Sequence, residues 1–214
     1  MKSSVLITGP ADSAARFLCA HGAGAAMDSP FLTLFASMLA DRGIQTIRFE
    51  FSYMAARRDG GKRRPPPKAE RLMPEYAQMI ADVGDGAPLI IGGKSMGGRV
   101  ASLIAAEAYK ARQIKGLVCL GYPFHPPNKP ESLRTQHLED LPCPALIVQG
   151  ERDPFGPREE VESYKLSKTI QLHWAPDGDH DLGPRGASGF TRKGNLAAAA
   201  DAVAAFARAQ ASGG

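Results

Sequence analysis

Short apolar and β-branched runs recur along the chain and predict six buried strands. These runs lie at residues 17–20, 46–51, 89–92, 117–120, 145–149 and 170–174. Stretches with helical periodicity separate them. These stretches lie at residues 31–42, 69–83, 96–111, 157–165 and 195–209. The pattern therefore predicts regular alternation of strands and helices, and one further strand is expected near residues 5–8.

This alternation determines the expected fold class. Strands joined through helices need right-handed crossovers, which give a mostly parallel sheet with helices on both faces. The alanine-rich final helix is expected to pack Leu196, Val203 and Phe206 inward. A chain of 214 residues is within the size range of one compact domain. We therefore predict a single-domain α/β fold over residues 1–214 with about six to seven strands.

Composition limits the compartment and the partners. No run of about 18 apolar residues is present, and residues 1–9 lack the basic start and apolar core of a signal peptide. We therefore expect a soluble cytoplasmic protein that binds no membrane. Cys19, Cys119 and Cys143 lie in or beside apolar runs, which predicts free, buried thiols.

The positive charge of the chain is concentrated in one segment. Residues 57–71 contain seven basic and two acidic side chains, a local charge of +5 in a chain of net charge +4. The remainder is about neutral and lacks the broad basic face of a nucleic-acid-binding protein, so we expect no nucleic-acid partner. We interpret the segment as a solvated surface loop. Docking of an acidic partner and recognition of an anionic substrate remain open for it.

The strongest chemical signal is the pentapeptide Gly-Lys-Ser-Met-Gly at residues 93–97, which matches G-x-S-x-G between a predicted strand and a predicted helix. A serine on such a sharp turn has a strained backbone, and side chains at Gly93 and Gly97 would collide. Ser95 would also stand at a helix N-terminus, where the Met96 N–H can stabilise an oxyanion. The pattern predicts Ser95 as a nucleophile.

Two other interpretations fit parts of this segment. A glycine-rich turn with an ordinary N-cap serine has the same residues, so partners elsewhere in the chain must decide. A phosphate-binding loop G-x-x-x-x-G-K-[ST] would need a glycine at position 88, where the chain has Pro88. Nucleotide binding is therefore disfavoured.

The partners that a serine nucleophile needs follow in the expected chain order. A base must accept the serine proton and an acid must orient the base, and on sheets of this kind the order is Ser, Asp or Glu, His. Asp153 follows the run at 145–149, and His180 follows the last strand. We predict Asp153 as the acid, with Glu151 as a fallback, and His180 as the base. Metal-ligand spacing is absent, so we expect no metal and no cofactor.

The remaining site predictions come from position after a strand. Residues 21–24, His-Gly-Ala-Gly, follow the first predicted inner strand, where this arrangement donates its second oxyanion N–H. Ala23 is the preferred donor and Gly24 the next. Residues after two other strands are expected to line the substrate pocket: Tyr53, Met54, Tyr122, Phe124 and His125. The segment 121–144 is too short for a helical cap, which predicts an open site.

With these residues in place, the chain resembles the α/β-hydrolase superfamily over nearly its whole length, and within it the lidless group similar to dienelactone hydrolases. The resemblance rests on HGAG, GGKSMGG, GERDPFG and DGDHDL. The segments HGAGAAMDSPF, RFEFSYM and GGKSMGGRVAS also look like a branch that includes hydrolase-like domains of eukaryotic chromatin-complex subunits. The resemblance implies esterase-type chemistry through an acyl-enzyme on Ser95. Dienelactone hydrolases carry a cysteine at this position, so their own reaction is not implied.

Together these observations predict a serine hydrolase that acts on a small or extended ester through Ser95, His180 and Asp153. The alternative is a catalytically silent module that keeps the fold and binds a partner. An intact set of three residues favours the enzyme. The sequence leaves the oligomeric state open.

Overall fold

Seven strands form one sheet in the computed structural model, which describes residues 4–58, 60, 65–84 and 86–212. The strands are β1 (Val5–Thr8), β2 (Arg16–Ala20), β3 (Gln45–Phe49), β4 (Leu89–Lys94), β5 (Gly116–Leu120), β6 (Ala145–Gly150) and β7 (Ile170–Ala175). The helices are α1 (Pro30–Ala40), α2 (Ser52–Arg58), α3 (Ala69–Val83), α4 (Met96–Lys110), α5 (Arg158–Val161) and α6 (Arg192–Ser212). The predicted α/β fold class is confirmed.

The order of strands creates a crevice in the sheet. The order is β1-β3-β2-β4-β5-β6-β7, and only β1 is antiparallel to its neighbour. The chain goes from β2 to β3 on one side and then crosses to β4 on the other side of β2. At such a switch point, ligands bind beyond the carboxyl ends of the strands. The loops after β2 and β4 lie at this point.

Helices cover both faces of the sheet. Successive side chains of a strand point to opposite faces. Leu18 and Ala20 of β2 pack in the core under α3 and α4, whereas Phe17 and Cys19 pack in the core under α1 and α6. This two-sided burial explains why the strands read as continuous apolar runs. The predicted inward positions of α6 are all buried: Leu196, Val203 and Phe206.

The strand β3 ends earlier than the apolar run predicted. The run continued to residue 51, but β1 pairs with β3 only as far as Phe49. Phe51 is fully buried without belonging to the strand, so core packing explains its apolar character. The helix α2, which starts at Ser52, was not predicted. The helix predicted at 157–165 is only the four residues of α5. Just beyond α5 the Ser163 hydroxyl donates to the Glu160 carbonyl, and such local side-chain bonds compete with continuation of a helix.

The interpretation of the basic segment at residues 57–71 as a surface loop is wrong at residues 57 and 58, whereas its end overlaps the helix predicted at residues 69–83. The helix α2 includes residues 57 and 58, and α3 begins at residue 69, while residues 59 and 61–64 lie outside the described chain. Arg58 forms ion pairs with Glu50 at 2.8 Å and with Asp28 at 2.6 Å. Part of the positive charge is therefore matched by carboxylates of the fold.

Segment 121–144, where related folds could insert a cap, contains only one short 3-10 turn at residues 136–138. The described chain thus carries no helical cap at this position. Cys19, Cys119 and Cys143 are free and buried, as predicted. None of the described helices has the length and apolar character needed to cross a membrane.

A single buried hydroxyl joins α3 to the strand that leads to Ser95. The Tyr76 hydroxyl lies 2.8 Å from the Leu18 carbonyl and 2.7 Å from the Gly92 carbonyl, and it accepts the Gly92 N–H at 2.8 Å. We expect Tyr76→Phe to lower the free energy of unfolding by about 1–3 kcal/mol, because it leaves buried backbone groups unpaired. Urea denaturation measures this loss. Tyr109→Phe, whose hydroxyl has no hydrogen bond among the described residues, is the control, and an equal loss in both variants would contradict the assignment.

Candidate active site

Ser95 stands on a strained turn between β4 and α4. Its backbone angles are φ 51° and ψ −115°, and its N–H donates to the Leu120 carbonyl at 2.9 Å. A Cβ atom at Gly97 would lie 2.5 Å from the Ala20 carbonyl oxygen, and one at Gly93 would overlap the same oxygen. The atoms that exclude a side chain at Gly93 and Gly97 therefore belong to the neighbouring strand β2 and not to the turn itself. Glycine at these positions lets the turn pack closely against β2.

Three side chains from three loops form one hydrogen-bonded chain. Ser95 Oγ lies 2.9 Å from His180 Nε2, and His180 Nδ1 lies 2.8 Å from Asp153 Oδ2. These loops follow β4, β7 and β6 respectively. With the proton on Nδ1 donated to the carboxylate, Nε2 is free to accept the serine proton. The structure thus brings together the three residues that the sequence analysis selected.

The carboxylate of Asp153 is fully buried and surrounded by donors. Its Oδ1 accepts the Phe155 N–H at 2.9 Å, and its Oδ2 accepts Gln149 Nε2–H at 3.0 Å in addition to His180. The Phe155 ring also packs on the His180 ring, with centroids 4.4 Å apart. Sequence reasoning missed Gln149 and Phe155, although a glutamine at the end of an apolar strand was a usable signal.

Polar contacts join the loop of Asp153 to the loop of His180. Asp177 forms ion pairs with Arg152 at 2.8 Å and Arg185 at 2.6 Å, and the hydrogen bond from Arg185 lowers the pKa of Asp177 to about 2. Glu151 accepts the Asp177 N–H at 2.8 Å and pairs with Arg158, and the bond from that N–H lowers the pKa of Glu151. Glu151, the fallback acid, therefore holds the two loops together and does not bind the His180 ring.

The predicted oxyanion loop after β2 lies beside Ser95. Neither the Ala23 N–H nor the Met96 N–H donates a hydrogen bond to another described residue, and the first N–H groups of a helix have no partner within it. Ala23 and Gly24 both line the cavity that contains Ser95. The Met96 N–H lies at the start of α4. These donors are available for an oxyanion.

Contacts from the end of β3 and from α2 fix the oxyanion loop. The Tyr53 hydroxyl donates to the Ala23 carbonyl at 3.0 Å. His21 Nε2 accepts the Phe51 N–H at 3.2 Å, and burial lowers the pKa of His21, which keeps this ring neutral. Glu50 accepts the Met27 N–H at 3.2 Å. The loop is thus held at three positions along its length.

Two cavities lie against Ser95 and share Ala23 and Phe155. The first has a volume of about 550 Å³ and contains His180. Its other lining is mainly apolar and includes Pro30, Phe31 and Leu32. The second has a volume of about 480 Å³ and lies beside Met96. Ser95 therefore borders both cavities.

The prediction of the substrate pocket is wrong, because none of the five predicted residues lines these cavities. Met54, Tyr122, Phe124 and His125 are buried in the protein, and none of them lines either cavity. Tyr122 donates its hydroxyl to the Arg134 carbonyl at 3.0 Å, and His125 lies 3.0 Å from Glu160. These rings fill the core because the chain turns inward after β5. Tyr53 contacts the oxyanion loop and does not line a cavity.

Lys94, which precedes the serine, is buried and lines the first cavity. Its Nζ lies 3.2 Å from Asp181 Oδ1 and 5.4 Å from the centroid of the Phe31 ring. Burial lowers the pKa of Lys94, and Asp181 opposes that effect. The motif G-x-S-x-G does not specify the residue at this position, so the sequence alone carries no sign of this contact.

A second serine–histidine pair lies inside the fold. Ser102 Oγ is 2.8 Å from His137 Nε2, but the same hydroxyl donates to the Arg99 carbonyl at 2.7 Å. Burial lowers the pKa of His137 to about 4, and no carboxylate of a described residue bonds to its ring. Neither Ser102 nor His137 lines either cavity beside Ser95. This pair lacks both an acid and access to substrate.

The fold and the site define the class of the protein. A mostly parallel sheet, a serine on a strand-to-helix elbow, and an aspartate and a histidine after later strands are the features of an α/β hydrolase. Residues 13–208 match the family described as an alpha/beta hydrolase domain, and the chain belongs to this family.

The chain is similar to one hydrolase in a short segment of sequence and to others in fold. A 56-residue segment is 43% identical to the human serine hydrolase BPHL, but it covers 26% of this chain and only 19% of that protein. The chain thus matches about a fifth of the length of this curated relative. Dienelactone hydrolase from Anabaena variabilis has a TM-score of 0.70 at 21% identity, with 94% of this chain and 89% of that chain covered.

A second solved structure shares the fold. The α/β serine hydrolase without a lid from Xanthomonas campestris has a TM-score of 0.65 at 18% identity. The match covers 96% of this chain and 88% of that chain. At this identity the likeness establishes the fold, and the chemistry must be argued from the site.

Proposed function

We propose that this protein is a serine hydrolase that cleaves carboxylic esters through an acyl-enzyme. The observation that carries the proposal is the hydrogen-bonded chain from Ser95 Oγ to His180 Nε2 at 2.9 Å and from His180 Nδ1 to Asp153 at 2.8 Å. A hydroxyl, a base and an orienting acid in this geometry activate a serine for attack on a carbonyl.

The reaction follows from the proton positions. Ser95 Oγ attacks the ester carbonyl while His180 Nε2 takes the serine proton, and the buried Asp153 carboxylate stabilises the imidazolium. The N–H groups of Ala23 and Met96 bind the oxyanion of the tetrahedral intermediate. His180 then returns the proton to the leaving alkoxide, which departs as the alcohol.

Water completes the cycle. His180 takes a proton from the water that attacks the acyl-enzyme, and it returns this proton to Ser95 Oγ as the carboxylic acid leaves. All these steps use side chains and backbone groups of the chain, so the mechanism requires no cofactor.

The three free, buried thiols fit a reducing compartment, and we propose that the enzyme acts in the cytoplasm.

Sequence similarity supplies the alternative function. The segments that look like hydrolase-like domains of chromatin-complex subunits leave open a silent module that binds a protein partner. Such a module would keep the fold but would not need an aligned base at Ser95. The 2.9 Å contact between Ser95 and His180 therefore favours the enzyme.

A fluorophosphonate probe tests the proposal directly. We expect the parent protein to form one covalent adduct, and peptide mass spectrometry should locate it on Ser95 because only an activated serine attacks the probe. Ser102→Ala is the matched control, since it removes the other serine that contacts a histidine and should label as the parent does. A folded protein that does not label would favour the silent module, and an adduct on another residue would contradict the assignment of Ser95.

A further inference from the structure

The second cavity beside Ser95 concentrates positive charge. Among the described residues, its lining includes three cationic side chains, Lys68, Arg99 and Arg134, and a single carboxylate, that of Glu70. The cavity of about 480 Å³ also contains Ser95 and Met96, so the charged groups share one space with the reacting serine. A cleft lined mainly by one sign of charge attracts ligands of the opposite sign.

The two arginines are incompletely matched by the protein. Arg99 bonds to Glu70 at 2.6 Å, but its Nε is buried without a partner among the described residues. The guanidinium of Arg134 donates no hydrogen bond to a described residue, and it is partly buried. Burial is the largest cause of the lowered pKa of Arg134, and the positive charge of Arg99 lowers this pKa further. Arg134, whose guanidinium has no hydrogen-bond partner among the described residues, and Arg99, which pairs with a single carboxylate, together favour an anion that can accept their remaining hydrogen bonds.

The first cavity differs in this respect. Its buried cation, Lys94, already pairs with Asp181 at 3.2 Å. Its other cation, Arg192, is exposed at the start of α6, and the wall near Phe31 and Leu32 is apolar. His180 lines the first cavity and not the second. Because His180 must return its proton to the leaving oxygen, the leaving group belongs on the side of the first cavity. The acyl group then extends into the second.

We propose that Arg134 and Arg99 bind a carboxylate at the far end of the acyl group, so that the substrate is a monoester of a dicarboxylic acid with an uncharged alcohol. This inference rests on the proposed ester hydrolysis and adds the substrate class. Guanidinium groups suit this role because their planar fork matches a carboxylate with two parallel hydrogen bonds.

A pair of esters of equal length tests the preference. We expect kcat/KM to be about tenfold or more higher for 4-nitrophenyl hydrogen adipate than for 4-nitrophenyl hexanoate, since a charge-assisted hydrogen bond favours the anionic acyl group. Uncatalysed hydrolysis of each ester is subtracted. An equal kcat/KM for both esters, or a preference for hexanoate, would overturn the inference while leaving ester hydrolysis established.

Variants assign the preference to the cavity. Arg134→Gln should lower kcat/KM for the adipate ester about tenfold more than kcat/KM for the hexanoate ester, because it removes one charged hydrogen-bond donor. Arg134→Lys should restore most of the preference. Lys110→Gln removes a positive charge at the C-terminal end of α4, about 20 Å along the helix from Met96, and should leave both esters unchanged. Equal losses for both esters in Arg134→Gln would contradict a charge-specific role.

Glu70→Gln should act in the opposite direction. It removes the carboxylate that occupies Arg99, so the preference for the adipate ester should rise.

A preference for 4-carboxyphenyl hexanoate over phenyl hexanoate would instead assign the anion to the leaving group and overturn the acyl assignment.

Binding separates this inference from the proposed function. If the parent hydrolyses neither ester, the proposed function fails, and calorimetry with Ser95→Ala then tests the cavity alone. Tighter binding of the adipate ester than of the hexanoate ester, lost in Ser95→Ala with Arg134→Gln, would support the anion site. Equal binding of both esters would overturn it.

Discussion

Ser95→Ala is expected to lower kcat for 4-nitrophenyl ester hydrolysis by about 10⁶-fold, because it removes the nucleophile and leaves His180 without a proton to accept. The oxyanion donors and the cavities remain, so KM should stay within about threefold, and a residual rate above that of water should persist. Initial rates over a range of ester concentrations give both constants.

The folded state of this variant should be unaffected. The Ser95 side chain makes no capping hydrogen bond to α4, so its removal leaves the helix start unchanged. We expect the free energy of unfolding to change by less than about 0.5 kcal/mol. Ser102→Ala keeps Ser95 and should retain full activity. If folded Ser95→Ala retained more than about a thousandth of the parental kcat, another group would be the nucleophile.

The fold and the order of the three hydrogen-bonded residues were predictable because their signals are local. The helix α3 has the predicted bounds, residues 69–83, since its apolar positions repeat with helical spacing. Gly93 and Gly97 mark the elbow because their backbone contacts exclude side chains. Asp153 and His180 were found from chain order after successive strands, which the parallel topology converts into proximity.

The pocket could not be predicted in the same way. Position after a strand gives the edge of the sheet at which a residue lies, but not the direction of its side chain. Gly121 has φ 65°, and the Tyr122 N–H then donates to Gln149 Oε1 at 2.7 Å, which directs the chain into the core. Gln149 and Phe155 act through contacts made only after folding. A glutamine at the end of an apolar strand marks residue 149 as unusual, but the sequence does not show that its side chain bonds to Asp153.

Asp153→Asn is expected to lower kcat by about 10⁴-fold, because an amide can hold His180 with its proton on Nε2. In that tautomer Nε2 donates toward Ser95 Oγ and cannot accept the serine proton. Steady-state kinetics and the rate of fluorophosphonate labelling should fall together. Asp140→Asn, an exposed carboxylate outside the site, is the matched control and should retain the parental kcat.

The same variant should also lose stability, for a reason specific to this site. Three donors converge on the two carboxylate oxygens: the Phe155 N–H on Oδ1, and Gln149 Nε2–H and the His180 ring on Oδ2. An asparagine must place its NH₂ group against at least one of them, since Asp153 is fully buried. We expect a loss of about 1–3 kcal/mol in urea denaturation. Asp140→Asn should keep the parental free energy of unfolding, because its side chain is exposed. An equal loss of stability in both variants would contradict a role of these three hydrogen bonds in holding the fold.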